Sequence, residues 1–319
     1  STSETQMRKE NTMKLCVLQA MLLGMVVGCS VENGGSSLNR ITADGSSTVG
    51  PITALVGEMF EETHDGVQVP VTITGTGTGF GKLADGETDI NDASRRIKDT
   101  EKKECEDNGV EYVELTVAMD GISVVVNNDN DFIDSITTAQ LEQIWKPDST
   151  VKKWKDINPD WPDEDIKLYG PGRESGTFDY FTEAINGEDG ASRDDYSPSG
   201  DDNLLVTGVA GDKYALGYFG YGYYEQSKDK LKLLAVSTTD KPEDGVLPSP
   251  ETIQAGEYTP LARPVFIYVN KASLKRPRVA EFITFYLNEG QEAVPQVGCV
   301  KMSDADLKAS RDALAEALK

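Results

Sequence analysis

Segments with strand-like and helix-like patterns alternate along most of the chain. Residues 40–43 form a strand-like run, and Ile52, Val56 and Phe60 then recur at helical spacing. Residues 67–73 alternate between apolar and polar side chains, as expected for another strand. This order predicts an α/β protein with helices layered on largely parallel sheets. A length of 319 residues is sufficient for two domains.

Polar turns follow several of the predicted strands, at the points where helices begin. Three of them are Ser46-Ser47-Thr48, Gly75-Thr76-Gly77-Thr78-Gly79 and Ser175-Gly176-Thr177. The first N–H groups of a helix lack intrahelical partners, and the helix dipole favours an anion there. Taken alone, the turn at Ser175 is more typical of an ordinary N-cap than of an anion site, and the glycine-rich turn is as typical of a flexible loop as of a binding site. Because ligands bind at the carboxyl ends of strands in open sheets, the recurrence favours a shared oxyanion site.

The glycine-rich turn matches neither of two familiar nucleotide-binding motifs. In a phosphate-binding loop, Gly81-Lys82 would be followed by Ser or Thr, but Leu83 follows. In a dinucleotide-binding motif, a third glycine would stand at Phe80. His64 is the only histidine, which argues against histidine zinc sites and histidine-dependent triads. The sequence therefore predicts no catalytic residues, no metal and no cofactor.

The charge balance limits the class of partner. The formal net charge is −23 and the isoelectric point is near 4.4. Such a balance argues against binding to nucleic acid or to an anionic membrane surface.

Residues 1–29 have the pattern of a signal peptide. Three basic residues precede an apolar run over residues 15–27, which is short for a membrane span. The run ends in Val26-Val27-Gly28-Cys29, which resembles a bacterial lipobox and predicts lipidation of Cys29. A polar segment, residues 30–37, would then be a flexible tether. A plain secretory signal or a short membrane anchor is the alternative.

Two further patterns bear on the interior of the chain. Cys105 and Cys299 are available to form a disulfide in an exported protein, but their spacing does not settle whether they do. Asp120-Gly121 separates two β-rich runs, residues 112–119 and 122–126, and predicts a break between two strands.

Several motifs in order give the chain a resemblance to a known family. It resembles the phosphate-binding lipoprotein of the high-affinity phosphate ABC transporter over roughly residues 40–300. The resemblance rests on the following segments: Asp44-Gly45-Ser46-Ser47-Thr48-Val49, Gly75-Thr76-Gly77-Thr78-Gly79, Asp92-Ala93-Ser94-Arg95, Ser175-Gly176-Thr177-Phe178, Gly211-Asp212-Lys213-Tyr214-Ala215-Leu216-Gly217-Tyr218 and Leu261-Ala262-Arg263-Pro264.

The resemblance implies the fold of a type II periplasmic binding protein, with two α/β lobes and a ligand cleft. Residues 38–120 and 262–319 would form the first lobe, and residues 121–261 the second. The two crossings near Asp120 and Leu261 would act as a hinge over the ligand.

The resemblance also implies a set of phosphate-binding residues. They are Ser47, Thr48, Thr78, Gly79, Ser94, Arg95, Arg173, Ser175, Gly176 and Thr177. Arg95 stands where some members have an aspartate that accepts the phosphate proton, so Asp92 or Asp44 is expected to take that role. Arg173 lies closer to the serine than the arginine of some members does. It either binds the ligand or pairs with a nearby acid.

The function implied is extracytoplasmic binding of inorganic phosphate and its delivery to ABC transporter permease subunits. The protein would be periplasmic or at the cell surface, lipid-anchored and monomeric, and not an enzyme. Binding of another oxyanion (sulfate, molybdate or arsenate) is the first alternative. A surface adhesion or sensing role on the same fold is the second.

Overall fold

The computed structural model describes residues 39–173 and 175–319, and the predicted signal peptide, Cys29 and tether lie outside these ranges. The strands are β1 (Ala43–Gly45), β2 (Val71–Ile73), β3 (Ile90–Ala93), β4 (Tyr112–Asn127), β5 (Ser135–Thr137), β6 (Lys167–Pro171), β7 (Ser197–Ser199), β8 (Ala215–Gly220), β9 (Leu231–Leu233), β10 (Ala235–Ser237) and β11 (Ala262–Asn270). The α-helices are α1 (Gly50–Thr63), α2 (Thr76–Ala84), α3 (Asp99–Asp107), α4 (Thr138–Trp145), α5 (Gly176–Asn186), α6 (Asp202–Ala210), α7 (Tyr221–Glu225), α8 (Pro250–Gln254), α9 (Pro277–Tyr286) and α10 (Asp304–Ala317).

One mixed sheet runs through the molecule in the order β2-β1-β3-β11-β4-β8-β6-β7, with β9 also paired to β4. Strands β2, β1 and β3 are parallel, as are β7, β6 and β8. The central strands β11 and β4 run antiparallel to their neighbours. The prediction of largely parallel sheets therefore describes the two outer parts and not the centre.

Strand β4 passes without interruption through Asp120 and Gly121, so the predicted break there is wrong. Both residues keep strand geometry because they pair with Arg263 and Ala262 of β11. The next residue, Ile122, pairs with β8. Hydrogen bonding across the sheet thus overrides the local turn preference of Asp-Gly.

Two large hydrophobic clusters lie along this sheet. One contains residues between 41 and 118 together with residues between 265 and 314. The other is formed by residues between 119 and 261 together with Val300. Trp145 and Trp154 are fully buried in the second cluster, as expected for large apolar side chains.

Within the described ranges, no helix combines the length and apolar character needed to cross a bilayer.

Candidate functional site

A cavity of about 370 Å³ lies where α1, α2 and α5 begin. Each of these helices follows a strand of the sheet: β1, β2 and β6. Hydroxyl groups in its lining come from Ser46, Ser47, Thr76 and Ser94. Gly75, Gly77 and Gly176 add backbone at the helix starts. The three helix N-termini therefore present N–H groups and hydroxyls to one space, which suits a small anion.

The start of α5 touches the turn before α1. A Cβ atom built on Gly176 would lie 2.3 Å from Thr48 Oγ1 and 2.6 Å from Ser47 Oγ. Only a glycine fits between these two hydroxyls. Contact between the two turns closes one side of the cavity.

Ser46 and Ser175 organise the two helix starts. Ser46 Oγ accepts a hydrogen bond from the Thr48 N–H at 3.1 Å. Ser175 is the N-cap of α5, and its Oγ accepts from the Thr177 N–H at 3.2 Å. The ordinary capping role considered for Ser175 is therefore present, and its hydroxyl proton remains available to a ligand.

A second, smaller cavity of about 270 Å³ lies on the other side of this contact. Ser47 lines both cavities, whereas Thr48, Ser175 and Thr177 line only the second one. Thr48 Oγ1 is buried without a hydrogen-bond partner among the described residues. The predicted hydroxyl donors thus surround the contact at Gly176 from both sides.

Helix α2 begins at Thr76, which is two residues before the predicted donor, Thr78. Its N-cap is Gly75, whose φ of 93° is a conformation that side chains rarely allow. Thr76 is then the first helical residue, and its Oγ1 accepts from the Ser94 N–H at 3.2 Å in the cavity lining. Thr78 is exposed and does not line either cavity, whereas Gly79 packs against Gly45 and Asn91.

Arg95 lines the cavity but is already engaged by a carboxylate. Its guanidinium donates two hydrogen bonds to Glu101, at 2.8 and 2.9 Å. Burial alone would raise the pKa of Glu101, but the hydrogen bonds from Arg95 and from the Lys98 N–H lower it below its ordinary value. Glu101 therefore favours its ionised form and forms an ion pair with Arg95.

Arg263 is the basic residue that the sequence did not place in the site. It is the second residue of β11, lines the cavity, and stacks on the ring of Tyr180 with its central carbon 3.7 Å from the ring centroid. Its Nε lies 3.4 Å from Asp120 Oδ2, which is a long hydrogen bond. Burial raises the pKa of Asp120, and Arg263 only partly offsets this. Because this pairing is weak, the guanidinium of Arg263 is also available to bind an anion.

Both predicted proton acceptors bind other side chains, although Asp92 Oδ2 is buried without a hydrogen-bond partner among the described residues. Asp44 accepts a hydrogen bond from Thr74 Oγ1 at 2.5 Å and forms an ion pair with Lys82. Asp92 is fully buried and accepts from Thr53 Oγ1 at 2.6 Å. Neither residue lines either of the two cavities.

Arg173 lies on the surface beside a different depression. It pairs with Asp194, donates to the Gly190 carbonyl oxygen at 3.1 Å and covers the ring of Phe178. Its side chain is half-exposed and does not line the two cavities. Of the two roles considered for it, pairing with an acid is the one seen here.

The two cysteines within the described ranges do not form a disulfide with each other. Cys105 and Cys299 are both buried free thiols, and they belong to different hydrophobic clusters. In the part of the chain that the structure describes, no group of three or more potential metal-ligating side chains comes together.

The sequence profile of the PBP superfamily domain matches residues 30–289. The chain belongs to this family. This confirms the predicted membership. A structure described as a possible phosphate binding protein from Planctomyces limnophilus DSM 3776 shares 48% sequence identity. It matches with a TM-score of 0.81 over 88% of this chain and 99% of that one, which agrees with the predicted α/β fold.

Two sequence relatives of this PBP-superfamily chain extend over most of its length. Protein SphX of Synechocystis sp. is 45% identical over 283 residues, 88% of this chain and 83% of that protein. The phosphate-binding protein PstS of Staphylococcus saprophyticus is 38% identical over 290 residues, 90% of this chain and 88% of that protein.

Proposed function

We propose that this protein binds inorganic phosphate and delivers it to the permease of an ABC transporter for import. The observation that carries the proposal is the cavity at which the N-termini of α1, α2 and α5 meet, with Arg263 beside them. The names of the relatives, phosphate-binding proteins among them, support the choice of anion. Membership of a binding-protein superfamily supports a transport role without catalysis.

The ligand set that we propose combines predicted residues with two additions. Ser47, Ser94, Arg95 and Gly176 are retained from the predicted set because they line the cavity. Thr48, Ser175 and Thr177 contribute from the adjoining turn. Thr76 replaces Thr78 as the hydroxyl donor of α2, and Arg263 replaces Arg173 as the charged donor.

Local dipoles allow an anion to bind to an acidic protein. The residues that line the cavity offer helix N-termini, hydroxyls and a guanidinium to the proposed ligand. The net charge of −23 acts over longer distances, where salt screens it beyond about 10 Å at 0.1 M. The short-range donors therefore dominate.

The proposal includes a hinge between two lobes with boundaries at 120/121 and 261/262. The first large hydrophobic cluster ends at Ala118 and resumes at Val265, whereas the second runs from Met119 to Leu261. This division supports the two boundaries. Arg263 and Asp120 pair across the two crossing strands. The α5 start already contacts Ser47 and Thr48 in this structure, so opening at the hinge would separate them and give the ligand access.

The cellular setting is part of the proposal. Phosphate import through a permease requires a binding protein outside the cytoplasmic membrane. The lipobox-like Val26-Val27-Gly28-Cys29 supports a lipid anchor on Cys29, and the acidic surface suits a monomer in the periplasm or at the cell surface.

Replacing Arg263 is expected to weaken phosphate binding while replacing Arg173 is not. A hydrogen bond to a charged group contributes about 1.5–3 kcal/mol, so Arg263→Gln should reduce the affinity roughly 10- to 150-fold. Arg173→Gln should change it less than about threefold, because an exposed ion pair contributes little. Fluorescence titration with phosphate measures both. A large loss in Arg173→Gln together with normal binding in Arg263→Gln would assign the charged donor to Arg173 instead.

Delivery is tested by uptake of radiolabelled phosphate. The protein is expressed with its own permease genes in a strain that lacks its native phosphate-binding protein. Uptake that depends on the protein, and that falls in Arg263→Gln, is the expected result. Tight phosphate binding without any uptake would favour a surface sensing role over transport.

A further inference from the structure

Tyr180 connects α5 to the chain segment that leads into β11. It lies one turn after Gly176 on α5, lines the 370 Å³ cavity and is only 7% exposed. Its hydroxyl group donates a hydrogen bond to the carbonyl oxygen of Pro260 at 2.6 Å. Pro260 stands three residues before Arg263 in the chain. The side chain of Tyr180 therefore contacts the segment from which Arg263 extends.

The aromatic face of Tyr180 is the surface on which the guanidinium of Arg263 lies. The central carbon of the guanidinium is 3.7 Å from the ring centroid, well within the range of a cation–π contact. A tyrosine hydroxyl has one proton to donate, and here Pro260 accepts it. Tyr180 therefore offers the cavity its ring face, and its effect on a bound anion has to pass through Arg263.

Two carboxylates compete with a bound anion for Arg263. Asp120 is buried, and the distance of 3.4 Å from its Oδ2 to Arg263 Nε is longer than a normal charge-assisted hydrogen bond. Asp179, which is half-buried in the first turn of α5, also faces the charge of Arg263. A mobile guanidinium would move closer to one of these carboxylates, because their attraction grows as the distance falls. Stacking on Tyr180 fixes it where the pairing with Asp120 stays long.

We propose that Tyr180 is a positioning residue, whose ring holds the guanidinium of Arg263 at the cavity in the orientation that binds the anion. This inference rests on the proposed phosphate-binding function of the same cavity. An arginine side chain loses rotamer freedom when it binds a ligand. Because the stack has already restricted Arg263, less of this entropy is lost when phosphate binds.

The first test is calorimetric titration of the full-length protein and its Tyr180 variants with inorganic phosphate at constant pH and ionic strength. Tyr180→Leu removes the ring face and should reduce the affinity roughly 5- to 30-fold, as expected for a desolvated cation–π contact. Tyr180→Phe keeps the ring and loses only the hydroxyl group. Its affinity should therefore remain within about threefold of the wild type.

Phe181→Leu is the matched control for a defect in α5. Phe181 is the next residue of the helix and is fully buried in the same hydrophobic cluster as Tyr180. Its ring stacks on Tyr218, with the two centroids 3.7 Å apart. Phe181→Leu removes an aromatic ring from the same helix without removing the surface under Arg263. It should keep the phosphate affinity within about threefold of the wild type.

A double-mutant cycle with Arg263→Gln separates positioning from a general effect on the helix. If Tyr180 acts through Arg263, Tyr180→Leu should weaken phosphate binding by less than about threefold once Arg263→Gln is present. A structural defect in α5 would instead weaken binding by the same factor in both backgrounds. Tyr180→Met, which is larger than leucine and also lacks a ring, provides the same cycle if Tyr180→Leu does not fold.

The outcomes separate this inference from the proposed function. Wild-type affinity in a folded Tyr180→Leu variant, or an equal loss in Tyr180→Phe, would overturn the positioning role and leave phosphate binding intact. Equal factors in the two backgrounds of the cycle would also overturn it. A wild-type protein that does not bind phosphate at millimolar concentration would instead overturn the proposed function itself.

Discussion

A methyl group added at position 176 is expected to weaken phosphate binding at least about 100-fold. The Cβ of Gly176→Ala would lie 2.3 Å from Thr48 Oγ1, 2.6 Å from Ser47 Oγ and 3.1 Å from the Thr48 backbone nitrogen. Forcing such a contact typically costs about 1–3 kcal/mol. The hydroxyls can avoid it only by turning away from the ligand, which loses hydrogen bonds of about 1.5–3 kcal/mol to a charged group. Calorimetric titration of the variant with phosphate measures the loss.

The stability of the ligand-free protein should change little in the same variant. The clash is relieved when the two helix starts separate, and alanine is a good helix residue at the start of α5. Gly81→Ala on α2 is the matched control, since its Cβ would meet no atom within 4 Å. It should keep wild-type affinity. Unchanged binding in Gly176→Ala would mean that the ligand does not require contact between these two turns.

Removing the charge of Asp92 is expected to stabilise the protein at pH 8 and not at pH 5. Burial, opposed by the Thr53 hydrogen bond and assisted by Asp44, raises the pKa of Asp92 to about 7. The unfolded chain releases this proton near pH 4, whereas the folded protein holds it until about pH 7. Stability is therefore lost as the pH rises through this range, by up to about 4 kcal/mol. Because Asp92→Asn has no carboxyl group to ionise at this position, its stability does not fall in this way as the pH rises.

The amide of Asp92→Asn carries its own cost. A buried N–H group without a partner destabilises by about 1–3 kcal/mol at every pH. We therefore expect a net gain of roughly 1–3 kcal/mol in the free energy of unfolding at pH 8 and a small loss at pH 5. Urea unfolding in phosphate-free buffer at the two pH values measures this. Asp65→Asn, at an exposed aspartate, should change stability by less than about 0.5 kcal/mol at both.

The same variant distinguishes a structural role for Asp92 from a ligand role. If Asp92 only lies beneath α1, phosphate affinity should remain within about threefold of the wild type. A selective loss of phosphate binding relative to sulfate in Asp92→Asn would show that Asp92 accepts the ligand proton.

The fold was accessible from sequence because its signals are local. The helical spacing of Ile52, Val56 and Phe60 and the alternation in residues 67–73 report burial directly. The continuity of β4 through Asp120-Gly121 was not accessible, since it depends on pairing with β11 more than 140 residues away. The same long-range pairing places Arg263 beside the cavity. Its place in the family-like segment Leu261-Ala262-Arg263-Pro264, next to the expected hinge near Leu261, was the signal for it in the sequence.

The helix starts were predictable, but which side chain points inward was not. The difference between Thr76 and Thr78 is a matter of helix register, which is fixed by the positive φ of Gly75. The same applies to Asp179, which lines the cavity, because an acidic residue in the first turn of a helix is usually explained by the helix dipole alone. Ion pairs, which the sequence does not reveal, also hold other candidates outside the site: Asp44 pairs with Lys82, and Arg173 pairs with Asp194.

The most direct test of phosphate binding is calorimetric titration of the purified protein with inorganic phosphate, after an enzymatic phosphate trap has removed any bound ligand. The proposed site predicts one phosphate bound per chain, with affinity reduced in Gly176→Ala and retained in Gly81→Ala. An absence of binding at millimolar phosphate, by a protein shown to be folded, would contradict it.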